Sequence, residues 1–155
     1  VVGLQRSGGG VPKLAVERAD VRYSGMDGDW QRERRYHGGP DRALCLYSME
    51  LIEALTAEGH PIWPGAVGEN VTLAGIDWRE VQPGIRLRIG GVEVEVTAFA
   101  SPCRTISGAF LDGRSVRISE KVHPGWSRVY VRILREGTVD VGDSAAILAA
   151  DFPDI

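Results

Sequence analysis

Ile85-Arg86-Leu87-Arg88-Ile89 alternates apolar and basic residues, Gly90-Gly91 follows, and Val92-Glu93-Val94-Glu95-Val96 alternates apolar and acidic ones. A period of two is the period of a strand, whose successive side chains point to opposite faces. Two glycines between such runs supply the backbone freedom of a two-residue hairpin turn. Folding there sets Ile89 against Val92, Arg88 against Glu93, Leu87 against Val94 and Arg86 against Glu95. Apolar side chains then meet on one face and opposite charges on the other. A slip of one residue would send the arginines into the core, so the register is fixed. Any fold for this chain has to be built around an antiparallel ladder.

The rest of the chain repeats that theme in shorter pieces. Glycine accounts for 20 of the 155 residues, nearly twice its usual share of ~7%. With eight prolines it divides the sequence into short apolar runs. Residues 1–4, 14–23, 43–47, 70–73, 126–134, 138–141 and 144–148 read as strands. One helix is expected near residues 49–58, with Ser48 as N-cap, Glu50 in the first turn, Leu51, Ile52 and Leu55 on one face, and Gly59 and Pro61 as the stop. Residues 24–41 read as an 18-residue irregular loop, long enough to expect a functional role. The expectation is a mainly β (β-rich α+β) fold in one domain over residues 1–155.

Composition excludes several functions. The net charge is −3 with a pI near 5.6, which argues against a general nucleic-acid binder. From Glu136 onward there are five acids and no base, which leaves +2 on the first 135 residues, enough for a pocket that takes a small anion. The longest aliphatic run, residues 145–150, is too short to span a membrane. Ser7-Gly8-Gly9-Gly10-Val11-Pro12 lacks the Gly-Lys-Ser/Thr of a phosphate loop. Two cysteines are too few for a disulfide scaffold, and no signal-peptide pattern opens the sequence at Val1, so a cytoplasmic location is expected.

Three segments carry residues suited to chemistry. Cys103 follows Pro102 in a loop beyond a strand, beside Arg104, whose positive charge favours a thiolate. Cys45 lies instead in the apolar run Ala43-Leu44-Cys45-Leu46 and reads as a core residue. His37-Gly38-Gly39-Pro40-Asp41-Arg42 combines a histidine, two glycines that let a ligand approach the backbone, and a guanidinium that forks onto phosphate or carboxylate. Gly68-Glu69-Asn70 offers a carboxylate and an amide just before a strand, or an ordinary turn closed by Asn70. No cysteine or histidine pair has zinc-ligand spacing.

In order along the chain, Val11-Pro12-Lys13, Gly25-Met26-Asp27-Gly28-Asp29, His37-Gly38-Gly39-Pro40-Asp41-Arg42-Ala43, Gly68-Glu69-Asn70-Val71-Thr72, Ser101-Pro102-Cys103, Pro124-Gly125-Trp126 and Gly142-Asp143 resemble the MOSC domain, named after the C-terminal part of molybdenum-cofactor sulfurase. The resemblance implies a β-barrel with one or two short helices. It also implies that Cys103 matches the family's functional cysteine, which supplies a thiolate to molybdenum or carries a persulfide. Molybdenum cofactor (molybdopterin) is then the expected cofactor, with His37, Asp41, Arg42, Glu69, Asn70 and Arg104 as its contacts. Arg42 and Arg104 suit its phosphate, and Glu69 and Asn70 suit the pterin edge. The expected function is reduction of N-hydroxylated compounds with electrons from a partner protein. The alternative is a non-turnover module that takes sulfur from a donor protein on Cys103 or handles the cofactor. Pyridoxal phosphate, which belongs to the aminotransferase-like part of the sulfurase, is not expected here.

Overall fold

The computed structural model describes residues 1–29 and 39–149. Eleven strands lie among them: β1 (Gly3–Arg6), β2 (Leu14–Val16), β3 (Arg18–Arg22), β4 (Gly25–Met26), β5 (Leu44–Ser48), β6 (Val71–Leu73), β7 (Arg86–Ile89), β8 (Val92–Phe99), β9 (Val129–Arg135), β10 (Gly137–Asp140) and β11 (Ala145–Ile147). The α-helix α1 (Met49–Ala57) and four short 3-10 turns complete the described elements. The fold is mainly β with little helix, as expected.

The hairpin forms in the register that its alternation dictates, pairing Arg86 with Glu95, Leu87 with Val94, Arg88 with Glu93 and Ile89 with Val92. Arg88 and Arg86 reach Glu93 and Glu95 at 3.0 and 3.3 Å on the wet face, while Leu87, Ile89, Val92 and Val94 are buried on the other. Gly90 holds φ +55, the left-handed region that a side chain disfavours. Helix α1 also begins as read: the Ser48 hydroxyl accepts the Leu51 N–H at 3.3 Å, and Ile52 and Leu55 face the core.

The strands form an eight-stranded sheet in the order β11-β7-β8-β9-β5-β6-β1-β2 and a three-stranded sheet in the order β10-β3-β4. All ladders are antiparallel except β5–β6, where α1 and the loop after it carry the chain back in the same direction. Only Glu17 separates β2 from β3, and only Glu136 separates β9 from β10, so two strands bend from one sheet into the other. Strands that switch sheets make the corners of an orthogonal packing. The resemblance implies a barrel. Among the described residues no ladder joins the outer strands β11 and β2, so hydrogen bonding does not close one.

Three local expectations are corrected. The run 14–23 is two strands, bent at Glu17. The long irregular loop contains β4, paired with β3, and a 3-10 turn at Pro40–Arg42. The strand expected from residue 126 starts at Val129, because the chain before it turns its polar groups into the protein.

Candidate functional site

Strand β8 ends at Phe99, and Ala100-Ser101-Pro102-Cys103 leaves its end as a loop. Cys103 opens the 3-10 turn Arg104–Ala109, its carbonyl accepting from Ile106 N at 3.3 Å and from Ser115 Oγ at 3.3 Å. Its thiol is free and half-buried. The sulfur lies 2.7 Å from Thr105 Oγ1. A hydroxyl at that distance can donate to a thiolate and hold it.

Arg128 anchors this loop from below. Its side chain is 5% exposed. Nη1 donates to the Val67 carbonyl at 2.8 Å, and Nη2 to the carbonyls of Ser101 at 3.1 Å and Ala100 at 3.5 Å. Nε is buried without a hydrogen-bond partner. A buried guanidinium is costly unless its donors are used, and here its fork spans two loops that are far apart in sequence. Sequence reasoning missed this residue. The alternation over 126–134 groups Arg128 with Arg132 on one face, yet Arg128 and Tyr130 are buried and Arg132 is exposed. The Pro-Cys loop covers that end of the strand, and nothing local in the sequence signals it.

Tyr130 links the expected pieces. It is 6% exposed and forms a small cluster with Cys45 and Ala100. The Arg42 guanidinium stands 5.1 Å from its ring centroid. Burial pushes its phenol up to about 12, Cys45 and Cys103 add to that, and Arg128 and Arg42 oppose it. Arg42 and Cys45 are thus both set against this one ring. Cys45 is sealed in β5, and burial pushes its thiol up to about 11, so it stays protonated at neutral pH.

Glu69 and Asn70 face inward. Both are fully buried. Glu69 accepts from Gly65 N at 2.9 Å and from Thr72 Oγ1 at 3.4 Å, and burial pushes its carboxyl up to about 7. Asn70 works as a stitch between β1 and β5. Its side-chain oxygen accepts from Cys45 N at 3.0 Å, and its amide donates to Gln5 O at 3.3 Å and Asp29 Oδ2 at 3.0 Å. Asp29 also holds Lys13 at 2.7 Å, with side chains 4% and 8% exposed. Lys13, Asp29 and Gln5 therefore join a buried polar layer; the sequence marked Lys13 and Asp29 only within resembling segments and gave them no role, because their partners lie far along the chain. Glu69 and Asn70 brace the site from behind and do not reach solvent.

Asp41 is exposed at its carboxylate, while its carbonyl accepts from the Thr97 hydroxyl. Arg104 is exposed, with no side-chain partner among the described residues. His37 lies outside the described residues. Among the described residues, a cleft of about 310 Å³ is lined by Ala100, Ser101, Pro102 and Lys121, but not by Cys103, and one of about 200 Å³ by Trp78, Val81 and Pro124. Phe99, Glu120 and Ser127 line both. Among the described residues no group of three or more His, Cys, Asp or Glu could hold a metal ion, and no helix is long and apolar enough to cross a membrane.

Comparison with known proteins agrees with this picture. The chain is 29% identical over 150 residues to the uncharacterized protein YflK of Bacillus subtilis (strain 168), covering 90% of this chain and 63% of that protein. It is 33% identical over 90 residues to the protein YiiM of Escherichia coli (strain K12), covering 56% of this chain and 40% of that one. The matches thus span less than two thirds of either relative. Among solved structures, YiiM from Geobacillus stearothermophilus superposes with a TM-score of 0.71 at 23% identity, over 96% of this chain and 74% of that one. The YuaD protein from Bacillus subtilis gives a TM-score of 0.73 at 20% identity, over 93% and 92% of the two chains. At those identities the structures establish the fold. The model of the MOSC domain family matches residues 33–146, most of the chain, and the chain belongs to that family.

Proposed function

We propose that this domain binds molybdenum cofactor with Cys103 as the protein thiolate to the metal, and that the loaded domain reduces N-hydroxylated compounds. The observation that carries the reading is the contrast between the cysteines: Cys103 reaches solvent in a loop pinned by Arg128, and Cys45 does not. The donor set fits the group. A soft thiolate suits a dithiolene-bound metal. Arg42 and Arg104 present guanidinium groups to a phosphate, and the exposed Asp41 carboxylate is open to a pterin N–H. Glu69 and Asn70 support the site without contact.

When bound, the cofactor supplies two-electron chemistry at a metal held in a protein thiolate environment. The chain's own part is to hold and orient. Arg128 fixes the carbonyls of Ala100 and Ser101, and so the direction in which Cys103 leaves the loop. Thr105 donates to the sulfur in its thiolate form. The reaction converts R–NH–OH, two electrons and two protons into R–NH2 and water. The electrons come from an external donor protein, which is oxidised by two electrons. A reducing compartment, the cytoplasm, keeps both thiols free.

The contact between Cys103 and Thr105 also favours a second reading, a sulfur carrier. The thiolate would take the outer sulfur of a donor persulfide and release the donor as a thiolate. Turnover separates the two. Protein made in a cofactor-producing host is supplied with an amidoxime and dithionite-reduced methyl viologen. The reductase reading expects amidine from the parent and none from Cys103→Ser. Cyanide-releasable sulfur on Cys103 with no amidine formed would instead establish the carrier.

A further inference from the structure

Among the described residues most cations are engaged. Arg18, Arg22, Arg79, Arg86, Arg88, Arg117, Arg132 and Lys13 all pair with carboxylates. Arg128 and Arg6 donate to backbone carbonyls, and Arg42 stands on Tyr130. Four cationic side chains have no such partner: Arg104, Arg114, Lys121 and Arg135. Three of the four sit on the segment that follows Cys103. Arg104 is its neighbour in sequence. Arg114 precedes Ser115, whose hydroxyl donates to the Cys103 carbonyl at 3.3 Å. Lys121 lines the 310 Å³ cleft together with Pro102. The acids of this segment are turned to the backbone: Asp112 accepts from Arg114 N at 3.0 Å and Glu120 from Gly125 N at 2.9 Å.

Large apolar side chains stand exposed between these cations. Leu111 is 71% exposed, Val122 54% and Val116 44%. Cations interleaved with open apolar residues make a surface suited to a protein partner, apolar at its centre and charged at its rim. The chain as a whole is net negative, so unpaired positive charge gathered beside one thiol selects among partners.

We propose that the surface formed by residues 104–122 docks a small acidic redox protein, which would be oxidised there as its electrons pass to the metal that Cys103 would hold. This rests on the reductase reading for its purpose, but the docking itself is testable without it. Opposite charge speeds encounter and fixes orientation, and such attraction is screened by salt. With Arg104 given to the cofactor phosphate, Arg114 and Lys121 are the steering charges, and Leu111, Val116 and Val122 form the dry contact.

The probe is a small acidic [2Fe–2S] ferredoxin, titrated against the chain by calorimetry at 20 and 300 mM salt. Binding should weaken by about tenfold or more across that range. The double variant Arg114→Glu/Lys121→Glu should weaken it by at least about tenfold at low salt, while Arg135→Glu should leave it within about twofold. All three substituted positions are exposed, so circular dichroism should show folded variants. With reduced methyl viologen the double variant should turn over like the parent, and with ferredoxin as donor its KM should rise. Salt-independent binding, or equal weakening by Arg135→Glu, would overturn the proposal. So would single-stranded polyuridylate binding as tightly as the ferredoxin, which would make the surface one for nucleic acid. Failure of the reductase reading would show separately, as absent viologen turnover with the salt-sensitive docking intact.

Discussion

Cys45 and Cys103 are the same chemical group in opposite surroundings. Cys45 sits in β5 between the ladders to β6 and β9, buried at 4% exposure beside Tyr130. Its backbone is tied on both sides by Asn70, and burial drives its thiol towards the protonated form. Cys103 sits past the end of β8, half-exposed beside a hydroxyl and an unpaired arginine. A strand interior makes cysteine a small hydrophobe, while a loop that leaves the sheet keeps its sulfur open to chemistry. The buried polar layer belongs to the first region but serves the second, because Arg128 joins them. One nitrogen holds Val67 in the layer and another holds Ala100 and Ser101 in the loop.

Cutting that joint should have the largest effect on stability. Arg128→Met leaves the carbonyls of Val67 and Ser101 without their donor, while Ala100 keeps the Ser127 hydroxyl, at a cost of about 2–5 kcal/mol. Hydrogen exchange at residues 101–105 should quicken beyond what global unfolding explains. If the loop amides exchange as in the parent, the two regions are independent.

Glu69 offers a pH test of the sealed region alone. Its carboxyl is pushed up to about 7 in the fold, against about 4.3 in an unfolded chain. Between those values the native state binds the extra proton. Its contribution is therefore full below about pH 4 and lost as pH rises to about 7, a span of about 4 kcal/mol. Glu69→Gln should flatten that part of the stability profile and leave the variant more stable than the parent at pH 8. A parent profile that rises between pH 5 and 7 by as much as it should fall would contradict the assignment.

Cys45→Ser should cost about 1–3 kcal/mol in thermal unfolding, since it places a hydroxyl in an apolar strand. Gly90→Ala sharpens the comparison from a distance. Its φ of +55 disfavours a side chain, and a Cβ there would meet the Asp143 carboxylate. About 1–2 kcal/mol should be lost, with Cys103 chemistry unchanged. A fall in cofactor loading with Gly90→Ala would mean that loading follows stability in general and not the loop.

The hairpin and α1 were legible because every determinant is local: alternation, a Gly-Gly turn, a serine cap three residues before its bonded N–H. The bend at Glu17 was not, since a strand that changes sheets keeps its alternation on both sides of the corner. Cys103 and Arg42 stood out by residue type beside Pro and Gly; the structure sets Arg42 over the Tyr130 ring and leaves Cys103 in an open loop. The roles of Glu69 and Asn70 were misjudged, because a polar pair before a strand looks the same whether it faces a ligand or the core. Lys13, Asp29 and Arg128 were hidden for a related reason. A charged side chain reads as solvated until a partner tens of residues away encloses it.

The proposed ligand that retains molybdenum is Cys103, and not Cys45. The direct measurement is metal and pterin per chain on folded protein from a cofactor-producing host, for the parent, Cys103→Ser and Cys45→Ser. Loading is expected in the parent and in Cys45→Ser, and none in Cys103→Ser despite an unchanged fold. Equal loading of Cys103→Ser and the parent would contradict it.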